Sequence, residues 1–325
     1  MTKKAHTWLV SITILMVHSL WVVSADGQQP GEIKKPAGEF EQTGEYSRLG
    51  ADSCILCHDA GMPKDATPIF ETPHAGRSDP SAPFANLQCE TCHGPGKDHA
   101  RAQRGGGNVQ PAITFGMRAS TPAAEQNEIC LGCHESHGRL GWFGSRHETE
   151  NIPCTACHQI HLEVDRVFDS LAQQNACFTC HSNRQADTFR TSNHPLRFGE
   201  MACSDCHDPH QGNNDFLLQE PTVNETCYTC HTEKRGPFLW EHAPASEDCS
   251  LCHRPHGSNH DAMLVRRQPQ LCQQCHSPID HPSKAYTPEL ANDAFNNRFM
   301  LGRACMNCHS QPHGSNHPSG VTLHR

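Results

Sequence analysis

Ten copies of the motif Cys-x-x-Cys-His run along the chain, and together they use every one of its 20 cysteines. Two thiols about one helical turn apart can form thioether bonds with two vinyl groups on one edge of a porphyrin. The adjacent histidine then lies under the ring and can donate a nitrogen to the iron, so the motif indicates covalent haem attachment. Zinc held by two cysteines and a histidine is the alternative for a single copy. Ten copies that leave no cysteine over favour ten c-type haems.

Each motif contributes two predicted thioether cysteines and one predicted proximal axial ligand. The thioether cysteines are Cys54, Cys57, Cys89, Cys92, Cys130, Cys133, Cys154, Cys157, Cys177, Cys180, Cys203, Cys206, Cys227, Cys230, Cys249, Cys252, Cys272, Cys275, Cys305 and Cys308. The proximal ligands are His58, His93, His134, His158, His181, His207, His231, His253, His276 and His309.

The motifs group into five dihaem repeats, each with one histidine between its two motifs and another shortly after the second motif. The predicted repeats span residues 54–99, 130–161, 177–210, 227–256 and 272–313. A longer connection lies between the first and second repeats and contains three consecutive glycines, Gly105 to Gly107. We expect that connection to be an exposed loop.

The sixth position of each iron separates electron transfer from catalysis, because an iron held on both faces mainly exchanges electrons. The repeat selects ten histidines as distal ligands, which are His74, His99, His147, His161, His194, His210, His242, His256, His281 and His313. A histidine three residues past a proximal one cannot reach the opposite face of the same haem. We therefore expect such histidines to ligate neighbouring haems, without an assignment of each histidine to one iron.

Four further histidines are left without a fixed role. His137 follows a first motif and so breaks the repeat, and His324 lies close to the end of the sequence. His260 and His317 end two copies of Pro-His-Gly-Ser-Asn-His, in which either histidine could be the ligand and the first is preferred. The methionines do not recur with the haem pairs, so they are interpreted as packing residues.

The elements that must position these groups are predicted to be short. Residues 1–25 have a positive start and an apolar run of a length typical of a cleaved export signal, with an uncleaved anchor as the alternative. Residues 26–50 are predicted to be a flexible polar leader, and 51–325 to be the decahaem domain. Apolar residues make up 35% and aromatic residues 6%, which is too little for a large side-chain core. We expect the haems to form the core.

The fold class predicted is a multihaem cytochrome c. Most of the chain should be irregular coil with short α-helices and almost no β-structure around an elongated haem array, since no run alternates with period two. The segments 163–174 and 288–299 are predicted to be short amphipathic helices. The formal net charge of −9 argues against nucleic acid or an anionic membrane surface as a partner.

The motif content and two glycine-containing segments resemble the decahaem cytochromes of the DmsE/MtrA type. The first segment is Cys92-His93-Gly94-Pro95-Gly96-Lys97-Asp98-His99. The second runs from Cys308 through His309-Ser310-Gln311-Pro312-His313-Gly314-Ser315-Asn316-His317 to Pro318-Ser319-Gly320. The resemblance covers the chain from about Ala51 onward.

That resemblance implies a transmembrane electron conduit. In the family the cytochrome is exported to the periplasm and inserts into an outer-membrane β-barrel porin, where its haems form a chain across the membrane. Periplasmic cytochromes are implied as electron donors or acceptors on one side, and an outer-surface cytochrome or a metal on the other. The direction of flow differs among family members, from metal reduction to iron oxidation.

Two other functions fit the same motifs. A periplasmic electron shuttle to a terminal reductase would need the same bis-histidine haems and no porin. A multihaem redox enzyme would need an iron with an open axial position. No motif replaces its proximal histidine by lysine and no hydrolytic site is visible, so electron transfer without catalysis is the prediction.

Overall fold

The computed structural model describes residues 43–135, 141–211, 214, 216–277, 303–318 and 320–323, all within the compact unit Lys35–Arg325. Its α-helices are α1 Asp52–His58, α2 Cys89–His93, α3 Lys97–Arg104, α4 Ala123–His134, α5 Arg146–Thr149, α6 Ser170–Phe178, α7 Ser182–Thr188, α8 Val223–Tyr228 and α9 Ala243–Glu247. Its 3₁₀ helices are Thr67–Glu71, Pro73–Ala75, Pro83–Ala85, Cys154–Ala156, Arg166–Phe168, Pro195–Phe198, Cys203–Asp205, Thr232–Lys234, Cys249–Leu251, Asp261–Met263, Cys272–Gln274, Cys305–Asn307 and Gly320–Thr322.

Strand structure in these ranges is confined to one two-stranded antiparallel sheet. Strand β1, Trp240–Glu241, pairs with β2, Gly314–Ser315, and aligns Trp240 with Ser315. Together with the short helices, this confirms the predicted fold class of a multihaem cytochrome c with almost no β-structure.

Each Cys-x-x-Cys-His motif forms about one helical turn. In the fourth motif the backbone N–H of His158 donates to the carbonyl oxygen of Cys154 at 2.9 Å. The same bond recurs in the later motifs, for example from His231 to Cys227 at 2.9 Å. The motif is thus wound so that its two thiols and its histidine lie near one edge of the turn.

The predicted helix over 163–174 forms as two shorter pieces. The 3₁₀ helix Arg166–Phe168 ends before Asp169, whose backbone is extended at φ −99° and ψ 120°. The Asp169 carboxylate accepts from the backbone N–H of Ala172 at 2.6 Å and caps α6, which continues to Phe178. The hydrophobic pattern predicts one continuous helix through Asp169, but the extended backbone and the side-chain cap of Asp169 start a new helix there. The predicted helix over 288–299 lies outside the described residues.

Among the residues that the structure describes, the apolar core is small and lies at the first repeat. Ala51, Ile69 and Phe84 pack together there, and the Phe84 ring meets Phe70 edge to face at 5.4 Å between centroids. Elsewhere many of the buried side chains are polar, including Gln126 and Asn224. Because these buried side chains supply little apolar area, we expect most repeats to depend on bound haem for their stability.

Amide side chains join the two motifs of a repeat. Asn127, three residues before Cys130, accepts from the backbone N–H of Cys154 at 2.7 Å. Asn224, three residues before Cys227, accepts from the N–H of Cys249 at 2.7 Å and donates to the carbonyls of Ala245 and Ser246. A buried amide therefore fixes the second motif of each of these repeats against the helix of the first.

The end of the predicted leader contacts the first repeat. The backbone N–H of Ser47 donates to both carboxylate oxygens of Glu90 at 2.9 and 3.1 Å, and Lys97 pairs with Glu45. The described part of residues 26–50 is thus held by hydrogen bonds, because Glu90 is buried and needs donors. Within the described ranges, no helix is both long enough and apolar enough to span a bilayer.

Candidate haem sites

The first cysteines of the two motifs meet in every repeat. Their side chains lie close enough to interact in pairs, which are Cys54 with Cys89, Cys130 with Cys154, Cys177 with Cys203, Cys227 with Cys249, and Cys272 with Cys305. The two attachment turns of a repeat therefore lie side by side.

Consecutive repeats are joined through the second cysteines. Side chains there lie close enough to interact electrostatically: Cys92 with Cys133, Cys157 with Cys180, Cys206 with Cys230, and Cys252 with Cys275. Burial raises the pKa of Cys92 to about 11, and burial likewise raises that of Cys157 to about 11. With the contacts inside the repeats, these close approaches link all ten motifs in sequence order.

Histidine rings face one another in nine pairs among the described residues, and each pair joins a motif histidine to a histidine outside the motifs. The pairs are His58–His99, His93–His161, His134–His74, His158–His210, His181–His147, His207–His256, His231–His194, His253–His313 and His276–His242. Their ring centroids lie from 5.9 Å (His207–His256) to 6.4 Å (His58–His99) apart.

That separation fits an iron between the two rings. A metal–nitrogen bond of about 2 Å on each side, plus about 1 Å from each nitrogen to its ring centre, places two axial imidazoles about 6 Å apart. Ordinary aromatic contacts have centroids about 4.5–7 Å apart, so the distinguishing feature is that every one of these pairs joins a motif histidine to a histidine outside the motifs. The ten cysteine pairs on one-turn helices supply the thioether positions, so the residues present fit c-type haem.

The partner of each motif histidine follows a rule of exchange between neighbouring repeats. The histidine between the motifs of one repeat faces the first motif of the next repeat, as His194 faces His231 at 6.4 Å. The histidine after the second motif faces the second motif of the preceding repeat, as His256 faces His207. The first motif lacks a preceding repeat, and its His58 faces His99 of the same repeat.

Hydrogen bonds at Nδ1 orient these rings. His147, His194 and His242 each place Nδ1 within 2.8 to 3.0 Å of a proline carbonyl oxygen. Those prolines are Pro209, Pro255 and Pro312. Each immediately precedes the histidine that comes after the second motif of the next repeat. A backbone carbonyl oxygen can only accept a hydrogen bond, so Nδ1 carries the proton and Nε2 keeps a free lone pair that can bind a metal.

Burial keeps several of these imidazoles neutral. It lowers the pKa of His256 to about 4, and it lowers the pKa of His74, His161 and His313 below the ordinary value. Burial also lowers the pKa of His93. A neutral imidazole is the form that can donate a lone pair to a metal.

The remaining histidines of the sequence analysis fall into two groups. His281, His137 and His324 lie outside the described residues. In each Pro-His-Gly-Ser-Asn-His segment the first histidine faces a motif histidine. In the second position, the backbone N–H groups of His260 and His317 donate to Ser258 Oγ and Ser315 Oγ, both at 3.1 Å.

Sequence reasoning missed the groups that join the motifs and orient the histidines outside them. Asn127 and Asn224 each lie three residues before the first cysteine of their repeats. Aligning the repeats with one another could have revealed this shared position. The Pro-His dipeptides were visible, but the role of the proline carbonyl was not. Within the described ranges, no three His, Cys, Asp or Glu side chains gather as ligands of one metal ion.

Comparison with known proteins gives matches to three family models and to one curated relative. A family model described as the doubled CXXCH motif matches residues 194–236 and 242–281. The model for NrfB-like cytochrome c-type protein matches 89–172, and that for cytochrome c554 and c-prime matches 24–94. The chain is 47% identical over 298 residues to a protein named multiheme cytochrome MtrA from Shewanella baltica (strain OS185). That alignment covers 91% of this chain and 87% of the relative.

Proposed function

The chain belongs to the family of multihaem c-type cytochromes that includes MtrA, and on that premise we propose that it carries electrons across the outer membrane through ten bis-histidine haems. Membership of the family makes it an electron-transfer protein with haem c attached at its CXXCH motifs. The count of ten haems, the ligand assignment and the conduit role are the proposal.

The nine facing ring pairs are the observation that carries the proposal. Each motif cysteine pair would hold one haem, whose iron accepts and releases one electron when bound. The two facing histidines would hold the iron from both sides and would leave no room for a substrate at the metal. His309 and His281 are the proposed tenth pair, since every other proposed ligand already has a partner. This ligation supports electron transfer without catalysis.

The order of the motifs supports a conduit. Cysteine side chains of consecutive motifs lie close together along all ten motifs, so the attachment turns form one unbranched sequence. Electron transfer between sites falls steeply with distance, and neighbours in contact therefore define the path. Such a path through lipid requires a protein sleeve with its own backbone hydrogen bonds satisfied. The family resemblance implies a porin in this role, with cytochromes or a metal as partners at the two ends.

Reconstitution with the outer-membrane barrel in liposomes tests the proposal. A trapped redox dye should be reduced by an external reductant only when both the barrel and the cytochrome are present. The double variant Cys227→Ala and Cys230→Ala removes one attachment site from the middle of the path and should abolish dye reduction. His260→Ala is the matched control and should leave it unchanged.

Other outcomes would favour the alternatives. A cytochrome that is washed out with the periplasm and reduces a soluble partner at full rate without the barrel would be a shuttle. A five-coordinate, high-spin haem in the purified protein would indicate an open iron and a redox enzyme. A holo-protein mass with clearly fewer than ten haems would contradict the ligation on which the proposal rests.

A further inference from the structure

Asp165 provides the acceptor for the proximal histidine of the fourth motif. Its Oδ2 lies 2.7 Å from His158 Nδ1, and the carboxylate is only 12% exposed. Its other oxygen, Oδ1, accepts from the backbone N–H groups of Gln159 at 3.2 Å and Val167 at 3.4 Å. The side chain is therefore fixed by the backbone with one oxygen directed at the imidazole.

The equivalent histidines of the other second motifs use a neutral acceptor. In each, Nδ1 meets a backbone carbonyl oxygen: His93 that of Ile113 at 3.2 Å, His207 that of Phe216 at 2.8 Å, His253 that of Ala262 at 2.7 Å, and His309 that of Thr322 at 2.6 Å. In the last three, the residue after the acceptor has a positive φ. That turn directs the carbonyl at the ring, whereas the fourth motif uses a side chain seven residues away.

A second carboxylate lies at the opposite ring of the same site. His158 faces His210 at 6.0 Å with the ring planes 18° apart. Asp208 Oδ1 lies 3.3 Å from Nδ1 of His210, and both side chains are about one-fifth exposed (22% and 20%). The Asp208 carboxylate is itself held by the backbone N–H of His210 at 2.9 Å and by Gln211 Nε2 at 2.7 Å. Negative charge therefore stands behind both imidazoles of the fourth site.

We infer that Asp165 is a positioning residue that polarises His158 and so lowers the reduction potential of the haem bound between His158 and His210. An ionised acceptor draws the Nδ1 proton more strongly than a carbonyl, which makes Nε2 a stronger donor to the metal. Stronger donation and nearby negative charge both favour the oxidised iron. This haem therefore has a lower potential than the haems served by His207 and His253. The inference rests on the proposed bis-histidine ligation.

Asp165→Asn in the full holo-protein tests the inference by spectroelectrochemical titration. The amide removes the charge, and its single oxygen can serve either the backbone N–H groups or His158 Nδ1, so the polarisation of His158 is weakened or lost. One of ten one-electron components should leave the low end of the titration and move to higher potential. We expect the ratio of oxidised to reduced iron at that site to change about tenfold at a fixed potential, equivalent to about 59 mV.

Asp169→Asn is the matched control, since its carboxylate caps α6 and contacts no described histidine. It should leave the titration unchanged. The inference is overturned if Asp165→Asn retains ten haems without the shift, or if Asp169→Asn gives the same shift. An all-low-spin spectrum with ten haems in the wild type establishes the proposed ligation independently of the result.

If Asp165→Asn loses a haem, the variant Asp165→Glu distinguishes a role of Asp165 in the potential from a role in haem attachment. Because it keeps a carboxylate, it should retain ten haems and the low-potential component. Ten haems with that component shifted upward would contradict the role of the charge. Loss of the haem in Asp165→Glu as well would show that Asp165 serves attachment and not potential.

Discussion

Replacing His194 by alanine should open one iron while leaving the array assembled. His194 belongs to the third repeat, and its ring faces His231 of the fourth repeat at 6.4 Å. Its Nδ1 also bonds the Pro255 carbonyl at 2.9 Å. The substitution removes the proposed sixth ligand of the haem iron at the seventh motif, together with the hydrogen bond to Pro255.

The size of each effect follows from the contacts at this junction. One open iron among ten converts about one tenth of the haem iron from low spin to high spin. The lost hydrogen bond costs about 1 kcal/mol. The junction keeps the His207–His256 pair and the two backbone bonds between Ser192 and Ser258, at 2.9 and 2.8 Å. Assembly should therefore survive.

Electronic absorption and electron paramagnetic resonance would measure the high-spin fraction after the mass has shown ten attached haems. Added imidazole should restore the low-spin spectrum, because it can occupy the opened position. His260→Ala is the control, since among the described residues His260 faces no motif histidine. A wholly low-spin His194→Ala protein with ten haems would refute the assignment, as would an equal high-spin fraction in His260→Ala.

Three further predictions concern packing, the amide joints and ring geometry. Phe84→Ala should lower the unfolding free energy by about 3–5 kcal/mol in denaturant titrations, because Phe84 is 3% exposed; Phe143→Ala, at 60% exposed, should change it little. Asn224→Leu should cost about 2–4 kcal/mol by the same assay, because the Cys249 N–H and two carbonyls lose their partner. Of the nine ring pairs, the planes of two lie 68° and 69° apart, those of two lie 43° and 47° apart, and those of five lie within 27°. Electron paramagnetic resonance should therefore show more than one class of low-spin signal, and a single class would contradict this geometry.

The motif turns and the scarcity of strands could be predicted because both are written in local sequence. The i to i−4 bond of His158 to Cys154 needs only the five residues of its own motif. The set of facing histidines was also accessible, since a repeat of fixed order selects His194 and His256 by position. Nine of the ten selected histidines face a motif histidine in the described residues, and His281 lies outside them.

The partner of each histidine could not be predicted, because it depends on how repeats pack against one another. His194 and His210 belong to one repeat, yet the first faces forward to His231 and the second faces back to His158. Nothing in the local sequence distinguishes these directions. The role of Asp165 could not be predicted either. The loops after the other second motifs use backbone carbonyls as acceptors, so no repeated side-chain pattern marks this position.

If the facing histidines ligate iron as proposed, their exchange between repeats gives the chain a direction of maturation. If residues emerge from the export machinery from the amino end, His58 and His99 can close their site within the first repeat. The second site of each repeat must then wait for the following repeat: His93 for His161, and His207 for His256. An incomplete chain would therefore always end in a half-ligated iron, open to peroxide or to a foreign ligand. On the proposed ligation, each newly exported repeat would complete the protection of the one before it.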